Sequence, residues 1–261
     1  MRNPVTLGAF LVAAVVVSLV WGRSLWYCAE RSQAFRRWVF FIMGFIGRPL
    51  EQVRSLLLSL IYCGLGLLAA VLFAIAFGLP VSSLVIPLSA EHLATVVLGA
   101  VGEISLANLF VELSCRVAGL GGPERLAEMN DIPWMKGVRQ LPPGAAPVAA
   151  ALGGVAEELF FRGVLLRVLT DRILLPAPVS VAIAGVLFYL EQLAQVQTAF
   201  QALVIGCGSV AISLVGGMLV VLTGSVVPAL LSHASFVVFF MTQGREAPGD
   251  LRQRRTEMAG R

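Results

Sequence analysis

The chain has 261 residues, 58% of them hydrophobic and only 13% charged, with a formal charge of +4 at neutral pH. That balance excludes an ordinary soluble enzyme and specifies an all-α, polytopic transmembrane helix bundle. It also excludes a nucleic-acid binder, because the arginines gather at helix ends and not in one surface patch.

About seven apolar segments follow in chain order: 4–22, 55–79, 93–113, 145–169, 177–196, 202–222 and 226–241. The first lacks a small-x-small cleavage site and has only Arg2 before it, so it reads as a retained helix and not a signal peptide. Val39–Gly47 is too short to span. Its neighbours Arg36, Arg37, Trp38 and Arg48 predict a helix lying in the membrane interface. Gly78-Leu-Pro80 ends the second span, and Pro142-Pro143-Gly144 breaks the chain before the fourth. The 114–144 connection reads as loop with one short helix. The polar tail from Gly244 reads as disordered.

The chain thus divides into four parts. Residues 1–54 hold the first transmembrane helix and an Arg-rich interfacial segment. Residues 55–144 hold two spans and a loop, 145–243 hold the core helices, and 244–261 form the tail.

The positive-inside rule orients the set. Segment 23–54 carries six arginines and segment 114–144 carries Arg116, Arg125, Lys136 and Arg139, so both are expected in the cytoplasm. The tail, with Arg245, Arg252, Arg254, Arg255 and Arg261, joins them, and the N-terminus lies outside. Arg167 and Arg172 run against this pattern. A single thiol placed at Gly249 is expected to be labelled only from inside the cell, and one at Ser83 from outside. The reverse result in intact cells overturns the orientation.

Cys28, Cys63, Cys115 and Cys207 have no metal-ligand spacing and read as buried thiols. The chemistry lies in Gly153-Gly-Val-Ala-Glu-Glu-Leu-Phe-Phe-Arg-Gly163, which puts two carboxylates and an arginine inside a span. Glu158 and Arg162 are four apart, in the favourable acid-first order, and can neutralise each other. Glu157 points about 100° away and has no such local partner. Of the two histidines, His92 reads as a solvated loop residue. His233 lies near the middle of the last span, about 12 Å from its cytoplasmic end, and Glu157 lies about 18 Å from the cytoplasmic start of its own helix. The two therefore reach similar depths. A desolvated carboxylate beside an imidazole can activate a water for attack on a carbonyl. Zinc fits less well: it wants three or four ligands, and Arg162 would repel a cation.

Glu103, Asn108 and Glu112 are further polar residues on the third span. Glu103 must face the bundle, either as a catalytic group or as a counter-ion for Arg162 or Arg167. Glu191, Gln192 and Gln195 are intramembrane groups or mark where the fifth span ends in water.

These motifs resemble the CPBP family of intramembrane proteases, related to CAAX prenyl-peptide endopeptidases and bacteriocin-processing proteins. Its marks are Glu-Glu-x-x-x-Arg, Phe-x-x-x-His and His-x-x-x-Asn/Asp on three helices. The first is complete as Glu157-Glu158-Leu-Phe-Phe-Arg162. The second reads Phe188-Tyr-Leu-Glu-Gln192, with glutamine for histidine, and the third His233-Ala-Ser-Phe-Val237, with valine for Asn/Asp.

The resemblance covers about residues 140–240. It implies a glutamic-type endopeptidase of a bacterial inner membrane, without a cofactor, acting on a membrane-associated or C-terminal-tail peptide. Glu157 would be the base, Glu158 and Arg162 its support, and Gln192 an oxyanion donor. The alternative is a catalytically impaired homologue that binds a membrane partner in processing or immunity. A transporter or channel subunit built round the Glu/Arg pair is the remaining reading.

Overall fold

The computed structural model describes residues 4–80, 90–120, 128 and 131–242. Ser83, Gly249 and the tail from Gly244 lie outside these residues, as does most of the loop between the second and third spans. All regular structure among them is helical. In order the helices are α1 (Pro4–Glu30), α2 (Gln33–Ile46), α3 (Leu50–Ala76), α4 (Ala90–Val117), α5 (Pro133–Arg139), α6 (Ala145–Glu158), α7 (Ala177–Leu193), α8 (Ala199–Thr223) and α9 (Val227–Thr242). Beyond Glu158, α6 continues as two π-helical stretches, Leu159–Leu166 and Val168–Arg172.

Each of the seven apolar segments is a helix. By length and composition, α1, α3, α4 and α8 are long and apolar enough to cross a membrane; α7 and α9 are shorter apolar helices. The distribution of side chains is that of a bundle solvated by lipid. Leu98 is 72% exposed and Leu222 75%, while Glu103, Glu158 and Glu191 are each 0% exposed. Apolar groups lose nothing by facing hydrocarbon, whereas ionisable ones must turn inward and find partners.

Helix α6 is central. It packs against α3 and α9, and its π-helical continuation packs against α3 and α7. Helices α4, α8 and α9 pack on one another, and α1 closes the far side against α3 and α7. Aromatic rings fill the contact between α1, α3 and the π-helical stretch. Trp21 stacks on Tyr62 at 4.8 Å and on Phe161 at 6.0 Å, and meets Phe160 edge-on. This contact depends on Gly66, where a Cβ would stand 2.3 Å from Trp21 Cζ2. Gly66→Ala is therefore expected to force the α1–α3 contact apart and destabilise the protein by about 1–3 kcal/mol, read as a lower thermal midpoint in detergent.

Helix α2 starts earlier than the expected interfacial piece. The Ser32 hydroxyl accepts from the Phe35 N–H at 3.1 Å, an N-cap that moves the start to Gln33, and Gly47 ends the helix at φ +61°. Val39 and Phe35 are buried, while Trp38, Phe41 and Phe45 are exposed. Arg167 and Arg172 have a structural use that explains their departure from the charge pattern. Arg172 donates to the Gly78 carbonyl beyond the end of α3, and Arg167 to the Gly224 carbonyl at the end of α8. Both guanidiniums thus meet helix C-termini, where carbonyls lack intrahelical partners. The four cysteines are free thiols, but only Cys207 is buried as expected; Cys28, Cys63 and Cys115 are half-buried.

Candidate active site

Three helices bring five side chains together. Glu157 and Glu158 end the α-helical part of α6, and Arg162 follows in its π-helical continuation. Gln192 comes from α7 and His233 from α9. The wider winding begins immediately after the paired glutamates. Such insertions are rare and concentrate at functional positions. Nothing in the apolar pattern of 159–172 announced it.

The two glutamates have different surroundings. Glu158 Oε1 lies 3.1 Å from Arg162 Nη1 and 2.8 Å from His233 Nδ1, so it is shared between two partners and is not solely the arginine's. Arg162 donates through Nη2 to Ser213 Oγ at 2.9 Å, and its guanidinium carbon stands 4.6 Å over the Phe188 ring. Close approach by α8 encloses this ion pair. A Cβ at Gly216 would lie 3.4 Å from Glu158 Oε2 and 3.8 Å from Arg162 Nε.

Glu157 is held by neutral donors on one oxygen and faces the imidazole with the other. Tyr62 donates its hydroxyl hydrogen to Oε1, and Gln192 Nε2 donates to the same oxygen at 3.0 Å. His233 Nε2 lies 3.6 Å from Oε2, beyond direct hydrogen-bond length. With Nδ1 bound to Glu158, the imidazole is fixed in orientation, and Nε2 is the nitrogen turned toward Glu157.

Tyr62 escaped the sequence reading, which left Glu191 open between an intramembrane group and the wet end of a span. Tyr62 sits in an apolar helix where an isolated tyrosine carries no signal. The Trp21 indole N–H donates to the Tyr62 backbone carbonyl at 3.0 Å while its ring stacks on the phenol, so α1 positions the hydroxyl indirectly. Glu191 does not mark a wet helix end. It is fully buried, with its carboxylate 3.2 Å from the Tyr62 hydroxyl and accepting from Gln192 Nε2 at 2.9 Å and Gln195 Nε2 at 2.7 Å. Gln192 therefore directs its side-chain N–H groups at two carboxylates, which differs from the free oxyanion donor expected there.

Glu103 faces the bundle as expected, but neither arginine neutralises it. Arg162 pairs with Glu158 and Arg167 with a backbone carbonyl, and both Glu103 oxygens lack a hydrogen-bond partner. Glu112 is exposed beside Arg116, one turn on. His92 stands half-buried near the start of α4.

A cavity of about 790 Å³ opens onto this cluster. Tyr62, Glu157, Gln192 and His233 line it, with Phe188, Ile212, Phe236, Val237 and Phe240 as apolar wall. Arg23, Glu51, Arg54, Asp131 and Lys136 also border it, so it extends to the Arg-rich ends of α1 and α3 and to α5. Among the described residues, no group of three or more His, Cys, Asp and Glu side chains is placed to hold a metal ion.

Fold and site together define an integral membrane helix bundle with a buried glutamate–histidine cluster at a cavity. Residues 139–239, which contain Glu157, Glu158, Arg162, Gln192 and His233, match the family described as Rce1-like, type II CAAX prenyl endopeptidase. This match supports the resemblance over the core helices, and it covers less than half of the chain. No curated protein and no solved structure matches the chain.

Proposed function

We propose that the chain hydrolyses peptide bonds inside the membrane by a glutamic mechanism, with Glu157 as base and His233 as its partner. The observation that carries this reading is Glu157 Oε2 facing His233 Nε2 across 3.6 Å at a cavity wall. A water held between them would lose a proton to Glu157 as its oxygen attacks the peptide carbonyl. The tetrahedral intermediate then collapses: the C–N bond breaks, the proton passes from Glu157 to the departing amine, and a carboxylic acid remains. Glu158 and Arg162 support this by anchoring the imidazole through Nδ1.

The lining of the cavity supports a substrate class. Its wall is aromatic and aliphatic and its border charged, which suits an apolar or lipid-bearing peptide end entering from the interface. By the positive-inside rule the Arg-rich border is cytoplasmic, with the N-terminus outside, in a bacterial inner membrane. The substrate is then a membrane-associated protein or a C-terminal tail presented from the cytoplasm. Purified protein in vesicles, incubated with peptides of that kind and followed by mass spectrometry, is expected to yield a single cut that Glu157→Gln removes. Uncut peptides under every condition would sink the reading.

Two observations favour the alternative, a homologue that binds such peptides without cutting them. Val237 puts a hydrocarbon on the cavity wall where the resemblance places an amide or acid, and Gln192 is engaged by Glu157 and Glu191. Losing one oxyanion donor lowers a rate by about 10²–10³-fold. Val237→Asn is therefore expected to raise turnover of a cleavable peptide by up to that factor. In a pure binding protein it leaves cleavage at zero and only lowers stability, by about 1–3 kcal/mol for an unpartnered amide.

A further inference from the structure

Glu191 is a buried carboxylate for which the reaction above has no use. All of its hydrogen-bond partners are neutral: Tyr62, Gln192 and Gln195. Two of these, Tyr62 and Gln192, also hold Glu157. The carboxylates are therefore linked twice, through one phenol and one amide.

Donor counting limits what this arrangement can be. A tyrosine hydroxyl has a single hydrogen, so Tyr62, within reach of both carboxylates, can donate to one of them, and Glu157 is the nearer. The contact from Tyr62 to Glu191 is then a hydrogen bond only if Glu191 supplies the hydrogen. Two ionised carboxylates sharing the same neutral partners would also repel each other, an arrangement relieved by one proton. That proton belongs on Glu191, because Glu157 has His233 beside it and Glu191 has no cation among its partners. Helix α1 seals this side: a Cβ at Gly22 would stand 2.4 Å from the Glu191 backbone carbonyl and 3.3 Å from its Oε1.

We propose that Glu191 is held as the neutral acid and, through Tyr62 and Gln192, directs their hydrogens onto Glu157, orienting it and keeping it ionised. The chain of donors runs from the Glu191 O–H to the Tyr62 oxygen, and from the Tyr62 O–H to the Glu157 carboxylate. Glu191 is a positioning residue: it meets no substrate, and its proton stays on the pair. It stands one residue before the place where the resemblance puts a histidine and this chain has Gln192. Its value to catalysis rests on the proposed peptidase reading; its protonation does not.

The full-length protein in lipid vesicles is compared by infrared difference spectroscopy with Glu191→Gln and Tyr62→Phe, and cleavage is measured on the same samples. At neutral pH, Glu191→Gln is expected to lose a protonated-carboxyl C=O band that wild type shows, and Tyr62→Phe to move that band. In kinetics, Glu191→Leu is expected to lower kcat by about 10- to 100-fold with KM unchanged, the loss of one hydrogen-bonded support to a charged group. Glu191→Gln, a neutral isostere that still donates, is expected to recover most of that loss. An unchanged carboxyl band in Glu191→Gln overturns the proposal, as does a Glu191→Gln variant no better than Glu191→Leu. Should Glu191→Leu fail to fold, the infrared comparison still decides. A lost band in a protein that cuts no peptide upholds the neutral Glu191 and defeats the peptidase reading instead.

Discussion

Glu157→Gln is expected to lower peptide cleavage by about 10²–10⁴-fold, the range that a general base contributes, while the folded protein persists in the membrane. The amide has the size of the carboxylate and can still accept from Tyr62 and Gln192 through its oxygen, so the local packing is retained. What disappears is a group able to take a proton from water. Its nitrogen would face His233 Nε2, where Glu157 Oε2 now stands at 3.6 Å. The measurement is kcat on a cleavable peptide, with circular dichroism and gel filtration confirming the fold. Cleavage within a few-fold of wild type would remove Glu157 from the role of base.

Arg162→Ala is expected to act on stability and not on chemistry alone. Arg162 is 1% exposed and Glu158 0%, so the pair is sealed from both water and lipid. Removing one member of a buried pair costs about 3–5 kcal/mol, because a charge is left without compensation. Three contacts vanish at once: the 3.1 Å approach to Glu158, the bond to Ser213 and the stacking over Phe188. His233 would remain against Glu158 at 2.8 Å, so part of the damage would be offset by its charging. Arg162→Lys, which keeps the charge but not the planar fork, should fall between alanine and wild type. The readouts are the amount of protein recovered from membranes and its midpoint of chemical unfolding in detergent. If Arg162→Ala accumulates and unfolds like wild type, the ion pair is not structural.

Gln192 shows why restoring the resembled histidine at that position by a single change is expected to fail. Histidine at 192 has two ring nitrogens but cannot reproduce an amide that donates from one atom to two carboxylates at 3.0 and 2.9 Å. Gln192→His should therefore leave Glu191 short of a donor and lower stability. Adding Glu191→Leu should relieve that cost. If the single and double variants unfold at the same denaturant concentration, Gln192 does not hold the two carboxylates together.

The helices were legible in the sequence because lipid imposes length and apolarity on anything that spans it, and each of the seven apolar runs is helical. The Glu157-Glu158-x-x-x-Arg162 spacing also announced its own ion pair, since residues four apart meet on any helix. Convergence of Gln192 and His233 on that motif was readable through resemblance, and only as an expectation.

What needed the tertiary structure is everything set by helices meeting across the bundle. Tyr62 lies 95 positions from Glu157 along the chain, and no periodicity links them. Glu191 stayed open between an intramembrane group and the wet end of a span because the sequence does not reveal that α1 covers it at Gly22. Division of His233 between the two glutamates was equally invisible, because it depends on how α9 rotates against α6. Burial by lipid is a property of a segment and can be read from composition. Burial by protein, which decides which of these carboxylates are paired and which are available, is a property of neighbours and exists only once the bundle has closed.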